Sequence, residues 1–217
     1  MAITSDSSVD TRSQTPGEEL ANSISHGIGL IAALIALPVL VLSAARQGST
    51  ETIIGAAVFA CTMVLLYLTS TLYHALPDGA WRNLLLKLDH GAIYLFIAGS
   101  YTPFALARVR DTGGWFLLAI VWSMAIAGLL LKVFDRVRHP LASTALYLVM
   151  GWVVLLAAYP LVASLTASGV QWLVCGGIAY TVGVVFFALD ARVRFSHCVW
   201  HVFVMIGTAC HFVAVLG

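Results

Sequence analysis

The chain has 217 residues, of which 60% are apolar and only 10% are charged. A soluble domain carries about 25% charged residues to cover its surface, and a disordered chain is poor in apolar residues, so both classes are excluded. A net charge of +1 without a basic stripe excludes a nucleic-acid partner. These numbers leave an all-α integral membrane protein.

The first segment, residues 1–18, is polar and rich in Ser and Thr. It is predicted to be a mobile tail ahead of one transmembrane domain at 19–217. It lacks a basic segment followed by a short apolar core, so we do not expect it to be a signal peptide.

Six long stretches of the remaining chain contain no Asp, Glu, Lys or Arg. A bilayer core needs about 20 apolar residues per helix, so five stretches each fit one helix and the stretch 139–189 fits two. A turn between Tyr159 and Gly169, rich in small residues, would divide that stretch. The sequence therefore predicts a seven-transmembrane-helix bundle, with helices near 20–44, 52–77, 88–108, 113–133, 140–161, 169–190 and 195–216.

The basic residues predict the orientation of this bundle, because loops rich in Lys and Arg stay in the cytoplasm. Seven helices put the N-terminus and the second, fourth and sixth loops on one side of the membrane. That side holds Arg12, Arg82, Lys87, Lys132, Arg136, Arg138, Arg192 and Arg194, whereas the other side holds Arg46, Arg108 and Arg110. We therefore expect a cytoplasmic N-terminus and an external C-terminus.

Polar side chains inside the predicted helices are few, and each is a candidate functional group because burial at membrane depth is costly. Pairs spaced by four residues share a helix face, and the predicted topology puts all of these side chains in one layer near the cytoplasmic surface. They are Asn22 and His26 on the first helix, Ser70 and His74 on the second, Asp89 on the third, and His197 and His201 on the seventh.

Three of these histidines, His74, His197 and His201, match the ligand number of a catalytic zinc site, which leaves one position for water. Asp89 could then hold the water and take its proton, or it could simply cap the start of the third helix. Ser70 could bond to the water, to a substrate carbonyl or to Asp89, or back to its own helix.

The remaining polar side chains have several interpretations each. Asn22 and His26 could orient Asp89 or a ligand histidine, or they could form hydrogen bonds between helices. His90 and His211 are interpreted as structural, with His211 too far along its helix to join the layer.

The segments Ser70-Thr-Leu-Tyr-His74, Leu88-Asp89-His-Gly-Ala-Ile-Tyr and His197-Cys-Val-Trp-His201, in this order on seven helices, resemble the hemolysin III branch of the progestin and adiponectin receptor (PAQR) family. The resemblance covers nearly the whole chain from Glu19 and suits a bacterial member. It implies that the three histidines bind Zn²⁺, with Ser70 and Asp89 beside the metal and Asp89 holding its water.

The resemblance also implies candidate functions. The first is an intramembrane zinc hydrolase of a lipid amide or ester, similar to ceramidases and linked to membrane lipid homeostasis, with membrane lipids as partners. The alternative is a sensor or regulator of membrane state in which zinc is structural. A transporter or a cytolysin is a minor alternative, because the polar cluster lies at one end of the bundle and no amphipathic pore-forming segment is present.

Overall fold

The computed structural model describes residues 12–136 and 140–217. Most of the predicted tail, residues 1–11, and Arg138 of the charge count lie outside the described residues. Every regular element in the described part of the chain is helical: α1 (Pro16–Gln47), α2 (Thr50–Ala75), α3 (Ala80–Ala107), α4 (Gly114–Val133), α5 (Pro140–Trp152), α6 (Ala158–Ser164), α7 (Ala167–Leu189) and α8 (Ser196–Leu216), with 3-10 turns at Arg110–Thr112 and Val153–Ala157. The predicted all-α class is therefore confirmed for these residues.

Six helical segments among the described residues are long and apolar enough to cross a bilayer: α1, α2, α4, the combined segment Ala142–Ser164, α7 and α8. Helix α3 has 28 residues but is more polar. It also contributes the largest group of buried side chains, because α2 packs on one side of it and α4 on the other. A helix covered by protein does not need an apolar surface, which accounts for its difference from the other helices.

The ends of the helices follow local sequence signals. Thr15 caps α1 in a reciprocal capping box with Glu18, Pro16 occupies the first turn, and Gly48 ends the helix in the left-handed conformation with φ 78°. Because these signals lie at residues 15–18, α1 begins inside the segment predicted as tail. Ser49 and Thr166 cap α2 and α7 with their side-chain oxygens, which accept hydrogen bonds from the Thr52 and Gly169 amides.

The predicted start of the third helix near residue 88 is wrong. Helix α3 begins at Ala80 after Gly79, because Trp81 to Lys87 continue the helix beyond the charge-free stretch from which it was predicted. Asp89 therefore lies ten residues into the helix, and its interpretation as a helix cap is also wrong.

The segment predicted as one helix at 140–161 is interrupted. A 3-10 turn at Val153–Ala157 separates α5 from α6. The Tyr101 hydroxyl from α3 lies 2.8 and 2.7 Å from the carbonyl oxygens of Met150 and Gly151, and it accepts a hydrogen bond from the Val154 amide at 2.9 Å. This side chain satisfies backbone groups that the break would otherwise leave unpaired in an apolar environment.

The bundle is arranged around α1 and α3. Helix α1 packs between α2 and α8, α7 packs against α8, and α5 touches α3, α4 and α7. One apolar core lies mainly between α1, α2 and α3, and a second between α3, α4 and α5. This arrangement brings the start of α1, the end of α2 and the start of α8 to the same end of the bundle.

Candidate metal centre

The end of the bundle shared by α1, α2 and α8 holds most of the buried polar side chains that the sequence singled out. His74 lies in the last turn of α2, whereas His197 and His201 lie in the first two turns of α8. His74 and His201 are buried and His197 is partly buried. The predicted gathering of these three histidines is therefore present in the structure.

The three histidines are arranged so that each can offer one nitrogen to a common ion. Among the described residues, His74, His197 and His201 place one ring nitrogen each within 4.8 Å of the other two. Their ring centroids are 4.7 to 5.2 Å apart. The Nε2 atom of each ring is buried and has no hydrogen-bond partner.

The other nitrogen of each ring, Nδ1, is held by a hydrogen-bond acceptor. His74 Nδ1 lies 2.7 Å from a Glu19 carboxylate oxygen, and His197 Nδ1 lies 3.1 Å from a carboxylate oxygen of Asp190. His201 Nδ1 lies 3.0 Å from Ser25 Oγ, whose own proton is donated to the Asn22 carbonyl. In all three rings the network places the proton on Nδ1 and leaves the Nε2 lone pair free.

Three unpaired imidazole nitrogens that face one another in a buried site fit a metal ion such as Zn²⁺. Buried polar atoms are almost always hydrogen-bonded, so three unpaired ring nitrogens on neighbouring histidines indicate a shared ligand. Neutral histidine with its second nitrogen donated to a protein acceptor is the usual form of a zinc ligand. The donor set leaves a further coordination position for water or substrate.

Sequence reasoning did not assign a role to Glu19, Asp190 or Ser25, the side chains that hold the ligand rings. Glu19 directly precedes the first predicted helix, and Asp190 belongs to the connection before α8. Burial raises the pKa of the Asp190 carboxyl, but hydrogen bonds and charge from His197, with Gln14 and Arg12, leave this pKa below its usual value.

The start of α8 is fixed by α1. Phe195, which precedes α8, has φ 59°, a conformation unfavourable for a residue with a Cβ atom. Its amide donates a 2.8 Å hydrogen bond to Glu18, and Glu18 also accepts from Arg12 at 2.6 and 2.8 Å. These contacts set the direction in which α8, and with it His197, leaves the turn.

A second set of buried side chains, His26, Ser70 and Asp89, connects α1, α2 and α3 next to the three histidines. His26 Nδ1 lies 2.6 Å from Ser70 Oγ, and the buried Asp89 of α3 lies near Ser70. The His26 ring stacks on His201 with a centroid distance of 3.4 Å and an interplanar angle of 10°. The structure thus brings Ser70, Asp89 and His26 together beside the ligand histidines.

The other predicted site residue, Asn22, reaches a ligand ring through its backbone and not its side chain. Its carbonyl oxygen lies 3.3 Å from His201 Nδ1, while its side chain donates to Gln14 at 2.7 Å. His90 accepts a hydrogen bond from Tyr147 at its carbonyl oxygen. His211 packs against Tyr180 and close to Gly176, between α7 and α8.

Comparison with known proteins identifies the family of this chain. The family described as Haemolysin-III related matches residues 15–212. This chain belongs to that family. It is 44% identical to "Hemolysin-3" of Bacillus cereus over 199 residues, which cover 92% of this chain and 90% of the relative. It is 45% identical to "Hemolysin-3 homolog" of Bacillus subtilis, with 92% and 93% covered.

The family extends beyond bacteria. This Haemolysin-III related chain is 29% identical to "Monocyte to macrophage differentiation factor" of Homo sapiens, a PAQR-type relative, over 91% of this chain and 83% of the relative. No solved structure matches the chain. The resemblance to hemolysin III and PAQR proteins drawn from the motifs is therefore confirmed, and with the six apolar helical segments it supports an integral membrane protein.

Proposed function

We propose that this Haemolysin-III related protein spans the membrane seven times, with a cytoplasmic N-terminus, and holds Zn²⁺ on His74, His197 and His201 to hydrolyse an amide or ester bond of a membrane lipid. The observation that carries the proposal is that the three rings each place a nitrogen within 4.8 Å of the other two and each have a buried Nε2 atom without a partner. A zinc ion bound there would supply Lewis acidity, which makes a water molecule more acidic and a carbonyl group more electrophilic.

The protein's own groups supply the remaining chemistry of the proposal. Asp89 is a buried carboxyl group beside Ser70, and as a general base it accepts the proton of the attacking water. Ser70 donates or accepts a hydrogen bond at the substrate or water, while His26 holds the Ser70 oxygen in place.

The position of the site favours a lipid substrate. His74 and His197 lie within two residues of the ends of α2 and α8, so the centre is close to one membrane surface. A lipid entering sideways would bring the amide or ester next to its head group to this level, while its acyl chains remain in the bilayer. The proposed location is a bacterial inner membrane, with the centre near the cytoplasmic surface.

The hydrolase proposal is tested with the purified, zinc-loaded protein and a panel of lipid amides and esters. We expect product from the wild type and a loss of about 100-fold or more in Asp89→Asn with zinc retained, because general-base catalysis contributes about 10²–10⁴-fold. Asp135→Asn is the matched control, since Asp135 is half-exposed and pairs with Lys87. Zinc-loaded wild type that yields no product, or undiminished product in Asp89→Asn, would contradict the proposal.

The second candidate function is a non-catalytic sensor of membrane state in which zinc is structural. The observation that favours it is that the three ligands come from two helices, so one ion would tie the end of α2 to the start of α8. Under this alternative, cellular function is lost in His197→Ala but survives Asp89→Asn, so Asp89→Asn separates the two functions.

A further inference from the structure

The three candidate ligand histidines are not held in equivalent ways. Two of them, His74 and His197, are backed by carboxylates, whereas His201 is backed by the neutral Ser25 hydroxyl and a backbone carbonyl. The carboxylates come from different parts of the chain, Glu19 from the first turn of α1 and Asp190 from the connection between α7 and α8.

Glu19 is fixed at both of its oxygens. One oxygen accepts from His74 Nδ1 at 2.7 Å and the other forms an ion pair with Arg82 of α3. The His74 side chain is only 1% exposed, so the ring cannot exchange this partner for water. The carboxylate, itself held by Arg82, therefore fixes the rotation of the His74 ring and keeps the proton on Nδ1.

Asp190 plays the same part for His197. One of its oxygens accepts from His197 Nδ1 at 3.1 Å and from the Gln14 amide at 2.9 Å. Arg12, held by its ion pair with Glu18, reaches the Asp190 carbonyl oxygen at 3.5 Å. The segment before α1 thus holds Asp190 in the position from which it contacts the ligand ring.

The charge of the centre gives these carboxylates a second task. Three neutral histidines leave the full double charge of a divalent cation uncompensated in a site largely removed from water, which is costly. Glu19 and Asp190 bring two negative charges one imidazole ring away from the ion. We propose that Glu19 and Asp190 are positioning residues of the metal centre, which fix His74 and His197 with Nε2 toward the ion and offset its charge. This inference rests on the proposed zinc centre.

The inference is tested on the full-length protein in detergent with Glu19→Gln and Asp190→Asn, which keep the shape of each side chain and remove its charge. Zinc affinity is measured by competition with a chelator, and the ligand geometry by the visible absorption of the Co²⁺-substituted protein. We expect each variant to bind zinc about 10–100-fold more weakly than the wild type, as is usual for partners of metal-bound histidines, with a shifted Co²⁺ spectrum.

Two carboxylates that do not contact these histidines provide the controls. Asp78→Asn removes the other acidic partner of Arg82, and Asp135→Asn removes the partner of Lys87. Both should leave zinc affinity and the Co²⁺ spectrum unchanged. Thermal unfolding of each zinc-free protein shows whether a change in affinity merely follows a loss of fold.

The possible outcomes distinguish the positioning role of the two carboxylates from the zinc centre itself. A wild type that binds zinc, together with Glu19→Gln and Asp190→Asn proteins of equal affinity and identical spectra, would overturn the positioning role and leave the zinc centre standing. A loss of affinity matched by an equal destabilisation of the zinc-free variants would also overturn it, in favour of simple ion pairs between helices. A wild type that binds no zinc would overturn the proposed centre itself.

Discussion

Ser70 occupies a junction between three helices, because its hydroxyl bonds to His26 of α1 and lies near Asp89 of α3. Ser70→Ala leaves His26 Nδ1 buried without a partner, which costs about 1–3 kcal/mol. We expect a lower unfolding temperature and reduced hydrolysis, with zinc content unchanged because the ligand nitrogens are untouched. Ser23→Ala is the control: Ser23 also joins α1 to α2, through a partly buried 3.2 Å bond to the Thr71 carbonyl. Equal effects of the two variants would contradict a special role for Ser70.

The ligand histidines could be predicted at the residue scale and their partners could not. The four-residue spacing of His197 and His201 and the motif ending in His74 are visible in the chain. The pairing of His74 with Glu19 and of His197 with Asp190 depends on how each helix is rotated about its axis. That rotation is set by packing between distant segments, which a single sequence does not display.

At the scale of elements, the contact between α7 and α8 depends on small residues facing the neighbouring helix. A Cβ atom added at Gly176 would lie 2.4 Å from His211 Cδ2 and 3.2 Å from the Gly207 carbonyl oxygen, whereas one added at Gly177 would meet nothing within 4 Å. The two glycines are adjacent in the same helix, so they form a matched pair for mutation.

We expect Gly176→Ala to destabilise the protein by about 1–3 kcal/mol, because overpacking a close helix contact forces side chains out of place. Gly177→Ala should leave the unfolding temperature unchanged or slightly raised, since alanine is the better helix former. Thermal unfolding in detergent measures both. A Gly176→Ala protein as stable as Gly177→Ala would contradict the close packing of α7 on α8.

The charge-free stretches predicted the presence of the helices, but they did not predict the start of α3 or the break after Trp152. The residues before Asp89 include Arg82 and Lys87, so a prediction based on charge-free stretches placed the start of α3 too late. A helix can continue beyond the apolar layer of the membrane with charged side chains and an unchanged backbone. The break after Trp152 depends on the Tyr101 hydroxyl, which arrives from α3. This tertiary contact supplies hydrogen bonds to backbone groups at the break, which would be costly to leave unpaired in an apolar environment.

At the scale of the whole molecule, the proposed topology makes a prediction that is independent of the metal. A fluorescent protein fused before Met1 should fluoresce in the cytoplasm, and alkaline phosphatase fused after Gly217 should be active outside it, because an odd number of spans separates the termini. Activity of only one of the two reporters would place both termini on the same side and contradict seven spans. Inactivity of both reporters in expressed, membrane-inserted fusions would contradict the orientation and place the centre near the external surface.

The central claim, that His74, His197 and His201 form a metal centre, is tested most directly by metal analysis of the purified protein beside His197→Ala and Asp89→Ala. We predict stoichiometric zinc in the wild type and in Asp89→Ala, and its loss from His197→Ala. Of the two substituted residues, His197 offers one of the three unpaired nitrogens and Asp89 does not. A zinc-free wild type, or full zinc retention by a folded His197→Ala protein, would contradict the account.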